Sequence, residues 1–91
     1  MVTKGQKKGS IRFSTTPPPG TKKVELAGTF TGWKPTAMKK QKSGAFVALV
    51  TMPRGTHEYK FLFDGRWVTD RDNCMSVVNP YGTVNSVVVV D

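Results

Sequence analysis

The residues of this chain best suited to touching a ligand are its two tryptophans, Trp33 and Trp67. Trp33 sits in Thr31-Gly32-Trp33-Lys34-Pro35, a turn-like segment flanked by polar residues. Trp67 follows the Asp64-Gly65 turn in the short polar run Arg66-Trp67-Val68-Thr69. A tryptophan in a small β-domain ordinarily fills the core, because its ring removes a large apolar area from water. Here Ile11, Phe13, Val24, Leu26, Phe30, Phe46, Tyr59, Phe61 and Phe63 already supply a core, which leaves both indoles for the surface. Two exposed indoles at one end of a domain form an aromatic platform. Such a platform suits a sugar ring, whose aligned C–H groups are slightly positive against the negative face of the indole. It suits a nucleobase equally well. Lys60, Thr83 and Asn85 are placed to donate to or accept from sugar hydroxyls.

Catalysis finds little support. The six carboxylates are Glu25, Glu58, Asp64, Asp70, Asp72 and Asp91. Asp64 belongs to a turn that favours Asp for backbone reasons, and Glu25 and Glu58 fall on outward strand faces. Asp70 and Asp72 share one loop, whereas glycoside hydrolysis needs two carboxyls flanking the bond at a set separation. His57 and the single Cys74 show no nucleophile–base pattern and too few ligands for a metal. The chain is therefore expected to be non-catalytic, with no cofactor.

The chain has 91 residues, enough for one domain with a shallow surface site. No apolar run approaches the roughly 18 residues of a membrane span, and residues 1–10 lack a signal-peptide pattern. With one cysteine no internal disulfide can form, so a reducing, cytoplasmic setting is expected. The formal net charge is +8. Lys4, Lys7 and Lys8 lie in a basic stretch at the start of the chain, and Lys39, Lys40 and Lys42 surround a turn. The rest are scattered, without the dense block of a nucleic-acid tract, so a solvated surface explains most of the excess.

The elements that must position these residues read as strands. Ser10–Thr15 alternates with Ile11 and Phe13 inward, and Pro17, Pro18, Pro19 and Gly20 end it. A second strand places Val24 and Leu26 inward. Ala37–Gln41 reads as a short strand with Met38 inward, and Ala45–Met52 as another. Thr56–Phe63 is the clearest: Tyr59, Phe61 and Phe63 share one face, and Glu58, Lys60 and Leu62 the other. Asp64-Gly65 is a strong hairpin signal leading into Arg66–Val68. Asp70–Gly82 reads as a long polar loop, and Val84–Val90 closes the domain. About seven short strands with turns at short intervals and no helical periodicity predict an all-β antiparallel sandwich over residues 10–91, preceded by a flexible basic tail at 1–9.

Four segments, in order and at suitable spacing, carry a resemblance. They are Val24-Glu25-Leu26-Ala27-Gly28-Thr29-Phe30-Thr31-Gly32-Trp33, His57-Glu58-Tyr59-Lys60-Phe61, Asp64-Gly65-Arg66-Trp67 and Gly82-Thr83-Val84-Asn85-Ser86. Together they resemble carbohydrate-binding module family 48. That family includes the glycogen-binding domain of AMP-activated protein kinase β subunits, modules of branching and debranching enzymes, and plant glucan phosphatases. The resemblance runs from about Ile11 to Val90. It implies an immunoglobulin-like, early-set sandwich that binds α-1,4-linked glucan such as glycogen, starch, maltooligosaccharide or cyclodextrin. It further implies stacking by Trp33 and Trp67, hydrogen bonding by Lys60, Thr83 and Asn85, and insertion of Tyr81 into the curve of the glucan. A larger glucan-metabolising or kinase-like assembly is an implied partner. The stretch between Trp67 and Tyr81 departs from the pattern: it lacks an Asp-Pro after the second tryptophan and is slightly longer. The alternatives are an interaction domain that has kept the fold and lost the sugar site, and a single-stranded nucleic-acid binder.

Overall fold

The computed structural model describes residues 2–5, 8–73 and 75–91, so Lys7 and Cys74 lie outside the described residues. The strands are β1 Val2–Lys4, β2 Ser10–Thr15, β3 Val24–Gly28, β4 Thr36–Ala37, β5 Lys39–Lys40, β6 Phe46–Thr51, β7 Gly55–Phe63, β8 Arg66–Val68, β9 Ser76–Val78 and β10 Val84–Val90. One sheet runs β1-β2-β6-β5; the other runs β4-β3-β7-β10-β9, with β8 also paired to β7. Every pairing is antiparallel. The two sheets close as the expected sandwich.

Strand alternation builds the core. Ile11 and Phe13 from the first sheet meet Leu26, Tyr59 and Phe61 from the second, all buried. Phe13 and Tyr59 cross edge-to-face with centroids 4.9 Å apart, and Phe30 stacks on Phe13 at 5.4 Å. Such aromatic pairs contribute about 0.5–1.5 kcal/mol beyond their area. Phe30 and Phe63 pack against this core from its margin. Leu62, on the outward face, is buried all the same, with Trp67 directly opposite it on β8.

Three local expectations change. Within the stretch expected to be a flexible tail, Val2–Lys4 pairs with Ile11–Phe13, and Val2 packs on the core. Pairing an otherwise open strand edge needs backbone groups rather than a sequence signal. The expected strand over Ala37–Gln41 is split at the crossing between sheets: β4 joins β3, β5 joins β6, and Met38 between them is buried. The expected loop over 70–82 contains β9, an edge strand whose three residues are all exposed. With no face buried, it carries no alternation to read.

What fastens the start of that segment is a polar cluster under the sheet. The Tyr59 hydroxyl donates to Asp70 Oδ2 at 2.7 Å, and Asp70 is 3% exposed. Asn73 Nδ2 donates to the Tyr59 oxygen at 2.9 Å and to the Val87 carbonyl at 2.8 Å. The Asp70 N–H donates to Ser86 Oγ at 3.0 Å. Asp70 is thus a structural acceptor, taking the Tyr59 hydroxyl on Oδ2 and the Asp72 N–H on Oδ1.

Candidate functional site

The site is organised by one event on β7. Along residues 55–59 its neighbour is β10, while along 61–63 that neighbour is β8. Lys60 stands where the exchange occurs, on the outward face. Asn85 precedes Ser86, the inward partner of Tyr59, and therefore shares that outward face. Trp67, opposite Leu62, shares it too. One β7 surface thus gathers side chains from two strands far apart in sequence.

Trp33 arrives from the other side of β7. After β3, residues Thr29–Thr31 form one 3-10 turn, whose Gly32 is left-handed. Trp33 is also left-handed, at φ 63°, unfavourable for a residue with a Cβ. The conformation is held by the Trp33 N–H donating to the Gly28 carbonyl at 2.9 Å and by Thr31, whose Oγ1 bonds the Gly28 N–H and carbonyl at 3.0 Å. Gly28 is required there, because a Cβ would come within 2.5 Å of the Glu58 carbonyl and the Phe30 ring. The strained turn presents the indole beside its partner: the Trp33 and Trp67 centroids are 6.3 Å apart, with ring planes at 60°. Trp67 is 51% exposed.

These residues line one surface depression of about 660 Å³, with Glu58, Lys60, Asn79, Tyr81, Thr83 and Asn85 completing most of its wall. The six residues singled out from sequence therefore come together. Tyr81 is 91% exposed at the tip of the β9–β10 hairpin, whose turn is closed by the Gly82 N–H on the Asn79 carbonyl at 3.0 Å. Lys60 Nζ donates to Thr83 Oγ1 at 3.1 Å. Asn85 is only 5% exposed, more enclosed than a freely available hydroxyl reader. Its Nδ2 donates to Glu58 Oε1 at 2.9 Å and its Oδ1 accepts from Asn79 at 3.1 Å. Each amide atom keeps capacity for one further bond.

Asn79 and Glu58 were not selected from the sequence. Asn79 is the hub: Oδ1 accepts from the Tyr81 and Thr83 N–H groups at 3.0 and 3.1 Å, and Nδ2 donates to Thr83 Oγ1 at 2.6 Å and to Asn85. An Asn before Pro80 reads as generic turn chemistry, so nothing local marks it. Glu58 could have been found, because two-residue alternation puts it on the face of Lys60. Among the described residues no cluster of His, Cys, Asp and Glu could hold a metal.

Chemically, the depression offers two tilted aromatic faces, one ammonium, one carboxylate, and amide and hydroxyl groups that serve as donor or acceptor. Stacking faces beside groups of both hydrogen-bonding senses are chemically suited to a neutral polyhydroxylated ligand.

A family model described as the glycogen recognition site of AMP-activated protein kinase matches residues 12–91. The β-1 subunit of 5'-AMP-activated protein kinase from Sus scrofa is 38% identical over 71 residues, covering 78% of this chain and 57% of that protein. The Homo sapiens β-1 subunit is 37% identical over 71 residues, covering 78% of this chain and 26% of the relative. The chain thus spans less than two thirds of the length of these relatives. Among solved structures, a maltogenic amylase from S. marinus superposes with a TM-score of 0.75 at 23% identity, covering 90% of this chain and 13% of that one. At that identity the likeness establishes the fold.

Proposed function

The chain belongs to the family of glycogen recognition sites of AMP-activated protein kinase, and we propose that it holds an α-1,4-linked glucan in the Trp33–Trp67 depression. The domain is a carbohydrate-binding module and carries no catalysis of its own. The observation that carries the site assignment is the 60° tilt between two indoles 6.3 Å apart. A flat ligand would favour coplanar rings, whereas a chain that curves from one sugar to the next presents successive faces at an angle. Lys60, Thr83 and Asn85 bond hydroxyls along that curve, and Tyr81 reaches into it from the hairpin tip. Glu58 supports a neutral ligand over a nucleic acid, since a phosphate backbone would meet its carboxylate.

The relatives are subunits of a kinase, and on that likeness the chain serves as the glucan-tethering part of a kinase-like or glucan-metabolising assembly in the cytoplasm. No helix among the described residues is long and apolar enough to cross a membrane.

Titration with maltoheptaose or β-cyclodextrin should shift tryptophan fluorescence, with an affinity nearly indifferent to salt. An unchanged spectrum at millimolar sugar sinks the assignment. An oligonucleotide that binds in its place, with affinity falling steeply as salt rises, identifies phosphate recognition instead.

Asn79→Ala should weaken maltoheptaose roughly tenfold, equivalent to about 1.4 kcal/mol, although Asn79 need not touch the sugar. Its loss frees the Tyr81 and Thr83 N–H groups, so their amide hydrogen exchange should quicken while the core stays protected. Unaltered exchange at those two positions would refute this positioning role.

A further inference from the structure

Trp67 also borders a second depression of about 800 Å³, which Lys60, Thr83 and Asn85 do not line. Its walls are the segment following β2, with Thr16, and the segment from β8 onward, with Arg66, Thr69 and Arg71; Phe63 lines it as well.

Both walls are fastened. The first carries Pro17, Pro18 and Pro19, and the Thr21 N–H and hydroxyl both donate to the Pro18 carbonyl, at 3.3 and 2.8 Å. Beyond it, Asp64 accepts from the Lys22 and Lys23 N–H groups at 3.1 and 2.8 Å. Asp64 is itself left-handed in the β7–β8 turn, so this contact ties the hairpin to the loop. The second wall is pinned on both sides of Arg71. Asp70 bonds Ser86 and Tyr59, the Asp72 N–H donates to Asp70 Oδ1 at 3.1 Å, and Asn73 bonds Tyr59 and Val87. A groove between two anchored segments is preformed, and a ligand entering it need not order them.

The chemistry of the lining selects the ligand class. Arg66 and Arg71 are exposed, and among the described residues neither meets a carboxylate. Asp64 and Asp72 line the same groove and offset the two guanidinium charges, which disfavours an anion. Free donors, hydroxyls that bond either way and the apolar rings of Phe63 and Trp67 instead suit a neutral polyol.

We propose that this groove continues the glucan path: a chain stacked on Trp33 and Trp67 runs past the Trp67 edge, and its next glucose units bind between Thr16 and Arg71. The inference rests on the glucan reading of the first depression and deepens it to a preference for long linear α-glucan. Arg71 is the residue to test, because its side chain is exposed and its guanidinium offers five donors.

The test is calorimetric titration of the whole chain with maltotriose and with a linear maltooligosaccharide fraction longer than maltoheptaose, for the native protein and Arg71→Ala. The native protein should prefer the long fraction, and Arg71→Ala should weaken it roughly three- to tenfold, the loss of one or two hydrogen bonds. Maltotriose affinity should be unchanged by the substitution. Amide resonances of Thr16 and Thr69 should move with the long fraction and stay in place with maltotriose. Equal affinity of both proteins for the long fraction, or stationary Thr16 and Thr69 resonances, overturns the proposal while the first site stands. Failure to bind sugar of either length overturns both.

Discussion

Trp67→Ala is expected to reduce maltoheptaose affinity by roughly thirtyfold, about 2 kcal/mol, and Trp33→Ala by a similar factor. The magnitude follows from stacking on an aromatic side chain, worth about 1–3 kcal/mol for a nucleobase, a ring of comparable area. Trp67 leaves half its surface open, so a sugar can cover a face that the fold does not use. Neither indole is a member of the buried core cluster. Trp67 does stand over Leu62, and truncation there should cost about 1 kcal/mol of stability as part of Leu62 becomes wet. Trp33 is half-buried, so its truncation also uncovers part of the surface it packs on, while its backbone bond to Gly28 survives. Circular dichroism should report a native sheet for both while calorimetry reports the weakened binding. Retention of native affinity by either variant would mean that the glucan lies elsewhere.

The largest effect on stability is expected from Tyr59→Phe. The phenol is fully buried, and its hydroxyl is the donor to the nearly buried Asp70 carboxylate. A hydrogen bond to a charged group contributes about 1.5–3 kcal/mol, and removing its donor leaves the carboxylate short of a partner in a poorly solvating site. For a domain of this size that corresponds to a melting temperature lower by roughly 6–24 °C. The same residue gives a signature in base. Burial first, and then the bond to Asp70, holds the Tyr59 phenol well above the usual tyrosine range. In the unfolded chain a tyrosine ionises near pH 10, whereas in the folded chain Tyr59 stays protonated. The stabilisation is full below pH ~10 and is lost as pH rises above it, by up to about 1.4 kcal/mol per pH unit from this group. Denaturant titrations at neutral pH and between pH 10 and 11 measure both effects. Tyr59→Phe should start lower and lack this part of the alkaline decline. Parallel declines in the two proteins would show that Tyr59 is not the group responsible.

The Tyr59 cluster also shows where sequence reading stops. Tyr59 is correctly a core aromatic by strand alternation, but alternation has no term for a hydroxyl that must find an acceptor. Asp70, Asn73 and Ser86 each have ordinary explanations as loop or strand polar residues. Only the fold, which lays the segment after β8 beneath β10, reveals that they satisfy one another. Asn79 is a similar case, because an Asn-Pro pair marks a turn without saying which backbone groups its side chain will hold.

By itself the sequence determined the class of fold, the core and the surplus of aromatic residues. Two-residue alternation in Thr56–Phe63 put Tyr59 and Phe61 inside and Lys60 outside, and both Asp64 and Gly65 take the positive φ that the Asp-Gly turn requires. With enough other apolar residues to fill a small core, Trp33 and Trp67 were marked for a ligand. These are local properties, recorded within a few residues of one another. The tertiary structure decided what is non-local: that β7 exchanges β10 for β8 beside Lys60, that a strained turn swings Trp33 to within 6.3 Å of Trp67, and that the rings meet at 60°. Periodicity states which face a side chain occupies but not which strand lies next to it, so Trp67 could be assigned to the surface from sequence, while the half-burial of Trp33, the tilt between the rings and the curved ligand that tilt favours could not.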